Sequence, residues 1–175
     1  MATEFGNLVE LYQHSCTEYS SKKALGTKEN NEWNWVSFGE LKELIDNARG
    51  GLKQAGASKG DMIAIISDNR LEWAVCCYAT YGLGAAYVPM YEKQLPQDWK
   101  FILEDSGSKI CIAATQKIYE QLKELQPQIE TLDRIFCFEL PNEHEDSYNT
   151  LLSVGKDSRG ISNLCCIARV YPHAD

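Results

Sequence analysis

Two glycines one residue apart, Gly82 and Gly84, raise the first question of chemistry, because glycine-rich loops can cradle phosphate groups. A dinucleotide-binding loop carries a third glycine, follows a strand and opens a helix. Here Tyr87 occupies the third position, and the surrounding pattern predicts a helix before the pair and a strand after it. The C-terminus of a helix carries partial negative charge, which disfavours phosphate. We therefore interpret the pair as a helix C-cap with close helix–strand packing.

The other residues with suggestive chemistry do not form known motifs. Gly155 and Lys156 fail as a Walker loop, because Asp157 follows the lysine and Thr150 stands where the first glycine should be. The histidines lie far apart in the sequence, without a serine or cysteine at a spacing that would suggest a nucleophile–base pair. They are His14, His144 and His173. We expect solvated side chains at these positions rather than metal ligands.

The carboxylates lie in amphipathic or turn-rich segments, which favours solvated faces over acid–base pairs. The clusters are Glu104 with Asp105, and Glu143 with Glu145 and Asp146. Glu72 is interpreted as a helix-start residue. The seven cysteines include no C-x-x-C pair, and we expect buried, reduced thiols in the apolar runs at Cys76, Cys77, Cys111 and Cys137. The residues by themselves thus predict no catalytic, cofactor-binding or metal-binding site.

The elements that would position any site follow an informative order. A first helix is predicted to present Leu8, Leu11, Tyr12 and Ser15 on one face. The segments KALGT and EWNWVSF then predict a β-hairpin, in which Trp33 and Trp35 point the same way. Ser37 and Glu40 form a capping box that opens the next helix, and Gly56 is its expected stop.

From residue 61 onward, strands and helices alternate four times. The runs MIAIIS, AAYVPM, KICIAA and RIFCFEL are expected to be strands, and several are apolar on both faces, as buried parallel strands are. Helices are expected to start at Asn69, Pro96 and Thr115, and SYNTLLSVGK predicts a short further helix. This order predicts an α/β fold with a mainly parallel sheet and flanking helices, preceded by a helix and a β-hairpin.

Composition narrows the class of protein. The chain has 175 residues and a net charge of −8, which argues against nucleic-acid binding because phosphate backbones repel an acidic surface. The sequence predicts no transmembrane segment and no secretory signal. With cysteines that lack disulfide spacing, these features favour a cytoplasmic, reducing compartment.

One combination of residues is specific. GDMIAIISDNRLEW at 60–73 and GLGAAYVPMY at 82–91 resemble the early region of long-chain acyl-CoA synthetases (long-chain fatty acid–CoA ligases), within the AMP-forming adenylate-forming superfamily. That family commonly carries Gly-Asp before a buried strand and Asn-x-x-Glu-Trp at the next helix start, here Asn69, Glu72 and Trp73. The resemblance implies that residues 1–160 are the N-terminal part of an AMP-binding domain, a partial subdomain of the family's large domain. Residues 161–175 are expected to be an irregular or truncated tail.

The resemblance also implies an activity. Family members use ATP and Mg²⁺ to convert a fatty acid to an acyl-adenylate, and coenzyme A then displaces AMP. The family's phosphate loop, of the type Y-T-S-G-T-T-G-x-P-K-G, does not occur in these 175 residues, so no catalytic, cofactor-binding or metal-binding residue carries over. The resemblance therefore implies no cofactor site in this chain itself.

Three hypotheses remain open. The chain is an inactive N-terminal fragment or truncated form of such a ligase. Alternatively, it is a non-catalytic module that binds or regulates a full-length paralogue, or an independent small α/β ligand-binding domain. For the family, the expected partners are fatty acid, ATP and coenzyme A, with peripheral association at a membrane such as the endoplasmic reticulum or peroxisome.

Overall fold

The structure is a computed structural model that describes residues 4–158. A four-stranded sheet lies between two layers of helices, and a separate two-stranded hairpin lies beside it. The elements are α1 (Leu8–Glu18), β1 (Lys23–Glu29), β2 (Glu32–Ser37), α2 (Phe38–Gln54), β3 (Met62–Ile66), α3 (Leu71–Gly82), β4 (Ala86–Met90), α4 (Pro96–Ser106), β5 (Ser108–Ala113), α5 (Gln116–Leu125), β6 (Arg134–Cys137) and α6 (Tyr148–Ser158). A short 3₁₀ turn, Gln126–Gln128, follows α5.

The predicted parallel sheet is confirmed. Its order is β4-β3-β5-β6, and each neighbouring pair of strands is parallel. Ile63 of β3 pairs with Tyr87 of β4 on one side and with Ile110 of β5 on the other. Each helix between two consecutive strands makes the crossover that a parallel connection requires. The alternation of strand and helix in the sequence therefore predicted that the strands would be parallel.

The two faces of the sheet pack into two separate cores. Ile63 and Ile65 of β3 face the core formed with α1, α2, α3 and α6. Ala64 and Ile66 face the opposite core, formed with α4 and α5. Successive residues of a strand point to opposite faces, so the runs that are apolar at every position are those that need cover on both sides.

Most helix boundaries agree with the sequence. The Ser37–Glu40 capping box is present, α4 begins at Pro96, and the Thr115 side chain accepts a hydrogen bond at the start of α5. Helix α3 ends at Gly82, and Gly84 has a φ of +72°, a left-handed conformation that favours glycine. The interpretation of this glycine pair as a helix C-terminus is confirmed.

Two expectations about helices were wrong. On α1 the buried side chains are Tyr12 and Cys16, whereas Leu8 and Leu11 are exposed, because the helix turns a different stripe toward α2 and α3. At α3 the N-cap residue is Arg70 rather than Asn69, and no side chain caps the helix. The expected tail at 161–175 lies outside the described residues.

The hairpin formed by β1 and β2 is antiparallel, as predicted. Asn30 and Asn31 form its turn with positive φ angles of 49° and 66°, the conformation typical of a two-residue hairpin loop. The rings of Trp33 and Trp35 stack on the same face, with centroids 5.5 Å apart.

Candidate functional site

The carboxyl ends of β3 and β5 form the position at which an open parallel sheet usually binds ligands. The chain leaves β3 for β4 on one side and later enters β5 on the other side, so the connections diverge between these two strands. Such a switch point opens a crevice at the carboxyl edge of the sheet. Here this position lies between residues 67–70 after β3 and residues 114–115 after β5.

Arg70 is a cation at this edge. Its Nε donates to Glu72 Oε2 at 2.8 Å and its Nη2 donates to Glu72 Oε1 at 3.3 Å. The guanidinium also lies over the ring of Phe138, 4.9 Å from the centroid. The hydrogen bond to Glu72, together with the charges of Glu72, Glu139 and Glu92, raises the pKa of Arg70 and holds it cationic. The negative charges of three carboxylates thus act on one guanidinium, and Glu72 is the one that pairs with it.

The other two glutamates hold backbone N–H groups at the same edge. Glu92 Oε1 accepts from the N–H of Asp68 at 2.8 Å, and Glu139 Oε2 accepts from the N–H of Gln116 at 3.1 Å. Gln116 is the first residue of α5, where a negative charge is favoured by the helix dipole. These hydrogen bonds tie together the loops that follow four different strands.

This arrangement does not fit a triphosphate. A phosphate at the edge would need free N–H groups and a close backbone approach, whereas Glu92 and Glu139 hold two of these N–H groups and add negative charge. The loops at 67–70, 91–95, 114–115 and 138–139 contain no glycine. Within residues 4–158, no group of three or more His, Cys, Asp or Glu side chains is placed to hold a metal ion.

Sequence reasoning missed the relationship among Arg70, Glu92 and Glu139. Each residue lies within four positions of the end of a buried strand. The carboxyl ends of parallel strands lie at one edge of the sheet. A charged residue in each of the loops that follow the strands was therefore the signal that could have predicted this cluster.

A shallow cavity lies on another side of the molecule, between α2, β6 and α6. It encloses about 150 Å³ and is lined by Gly51, Ala55, Phe136, Leu151 and Val154, with Arg134 and Glu145 among the polar residues. Cavities that hold nucleotide-sized ligands are roughly 300–1,000 Å³. This cavity is therefore too small for ATP or coenzyme A.

The residues considered for chemistry lie apart. His14 is exposed on α1 beside the ring of Phe5, and His144 Nδ1 accepts a hydrogen bond from the N–H of Asp146 at 3.0 Å. Gly155 and Lys156 lie within α6, which excludes a phosphate loop there. His173 lies outside the described residues.

The expectation that Asp146 is a solvated carboxylate was wrong. It is only 7% exposed, and its Oδ2 accepts a hydrogen bond from the Tyr119 hydroxyl at 2.8 Å. Arg134 Nη2 donates to Oδ1 at 3.4 Å, and Lys123 lies 3.8 Å away. The acidic loop therefore folds back onto α5 and β6. Its neighbours Glu143 and Glu145 are exposed, as are Glu104 and Asp105, in agreement with the sequence.

The expected burial of the core cysteines is confirmed. Cys76, Cys77, Cys111 and Cys137 are buried free thiols, and Cys16 joins them. Burial raises the pKa of each thiol, so these groups are poor nucleophiles at neutral pH. Cys165 and Cys166 lie outside the described residues. Over residues 4–158, no helix combines the length and the apolar character that crossing a bilayer requires.

Comparison with known proteins identifies the family. A family model described as AMP-binding enzyme matches residues 12–160. The chain is 23% identical over 157 residues to the long-chain-fatty-acid–CoA ligase ACSBG2 of Mus musculus, covering 87% of this chain and 24% of that protein. It is 30% identical over 103 residues to the long-chain-fatty-acid–CoA ligase FadD15 of Mycobacterium tuberculosis, covering 59% of this chain and 17% of that protein.

Solved structures agree on the fold. The long-chain-fatty-acid–CoA ligase FadD1 of Archaeoglobus fulgidus superposes with a TM-score of 0.75 at 17% identity, over 89% of this chain and 31% of that chain. The chain thus spans about a quarter of the length of the mouse relative and about a third of this structure. The match over residues 12–160 means that the chain belongs to the AMP-binding enzyme family, of which it carries a partial N-terminal region.

Proposed function

We propose that this chain is the N-terminal scaffold of a fatty acid–CoA ligase and that the 175 residues alone do not activate a fatty acid. The longer relatives are described as long-chain fatty acid–CoA ligases, which supports fatty acid, ATP and coenzyme A as the ligands of the complete enzyme. Mg²⁺ would accompany ATP there. In that enzyme, residues 4–158 would supply a rigid parallel sheet and its two helical layers.

One observation carries the proposal. At the carboxyl edge of the sheet, Glu92 and Glu139 accept hydrogen bonds from backbone N–H groups that a phosphate would otherwise use. Arg70 at that edge is already paired with Glu72. The edge is thus closed by the chain's own carboxylates, and a nucleotide would have to displace them.

The test is ATP–pyrophosphate exchange with a long-chain fatty acid, run on the purified 175-residue chain. A full-length long-chain fatty acid–CoA ligase in the same assay provides the positive control. We expect no exchange above the protein-free background. Exchange by the chain, at a rate proportional to its concentration and free of a longer contaminant, would overturn the proposal.

ATP binding without exchange would also contradict it and would favour an independent ligand-binding domain. Equilibrium dialysis with radiolabelled ATP and Mg²⁺ distinguishes this outcome. We further infer a reducing compartment such as the cytoplasm, which the five buried free thiols among residues 4–158 support.

A further inference from the structure

We draw no further inference here: the strongest candidate, the shallow cavity between α2, β6 and α6 that Arg134 and Glu145 help to line, lies against the edge strand β6 of a chain that spans about a quarter of the length of the mouse relative, and nothing in residues 4–158 shows what covers it.

Discussion

Gly50 of α2 and Gly155 of α6 lie in direct backbone contact: a Cβ atom added to Gly50 would come within 2.7 Å of the carbonyl oxygen of Gly155. Gly51 and Gly155 are buried at the same crossing, where the backbones of α2 and α6 pack directly against each other. Because no side chain separates the two backbones, α6 can cover α2 only while these positions remain glycine.

Replacing Gly155 with alanine is therefore expected to destabilise the protein. The new Cβ would collide with the carbonyl oxygen of Asn47 and lie 2.5 Å from the backbone nitrogen of Gly51, so the helices must separate. Overpacking of this kind costs about 1–3 kcal/mol in unfolding free energy, against which the higher helix propensity of alanine offsets up to about 1 kcal/mol. Urea denaturation measures the change. Gly6→Ala, beside the flexible Glu10 side chain, is the control and is expected to change stability by less than about 0.5 kcal/mol.

Asp146 holds the loop before α6, and its removal has a predictable effect. Asp146→Ala deletes the acceptor of the buried Tyr119 hydroxyl and the partner of Arg134. Leaving the hydroxyl unpaired is expected to lower the unfolding free energy by about 2–3 kcal/mol. Glu145→Ala changes the adjacent exposed carboxylate and is expected to be nearly neutral. Equal effects of the two substitutions on thermal unfolding would contradict the assigned role.

Thr80 is a position where the protein can be made more stable. Its hydroxyl is fully buried in α3 and, among residues 4–158, finds no hydrogen-bond partner. Thr80→Val keeps the shape and removes the unpaired hydroxyl, so we expect stabilisation of about 1 kcal/mol. Thr80→Ala removes the methyl group as well and is expected to destabilise. A melting temperature of the valine variant below that of the wild type would contradict this prediction.

The start of α2 predicts a pH dependence. Hydrogen bonds from the Ser37 backbone N–H, at 2.8 Å, and from the Ser37 hydroxyl lower the pKa of Glu40 below its ordinary value of 4.5. The folded state thus favours the carboxylate, and this contribution is present above pH 4.5 and is lost as pH falls through the lower folded pKa. Glu40→Gln removes the charge. The melting temperature of the wild type should exceed that of the variant at pH 7, and the difference should shrink below pH 4.5. A constant difference would contradict the assignment.

The sequence predicted the helices and strands of this fold better than it predicted which strands are neighbours in the sheet. Residues such as Ile65 and Ile66, which point to opposite faces, identify β3 as a strand that is covered on both sides. Periodicity cannot specify which strands become neighbours, so it left the order β4-β3-β5-β6 open.

The errors have the same origin. An acidic loop is typical of a solvated segment, and the burial of Asp146 depends on Tyr119, which is 27 residues away. On α1, Tyr12 of the predicted face is buried, but Leu8 and Leu11 of the same face are exposed, and the pattern alone could not show that Cys16 packs beside Tyr12 in their place. The cluster of Arg70 with three glutamates draws on the loops after three strands and appears only once the sheet is assembled.

The position of β3 between β4 and β5 has a consequence for synthesis on the ribosome. As the chain emerges, β3 can pair with β4 once residue 90 is available, but its other edge stays open until β5 is complete at residue 113. The α2 surface at Gly50 stays bare longer still, until residues 148–158 have left the exit tunnel. A nascent chain halted between residues 90 and 113 would expose the unpaired edge of β3 and the uncovered glycine surface of α2. Exposed strand edges and uncovered apolar surfaces are the features that molecular chaperones bind.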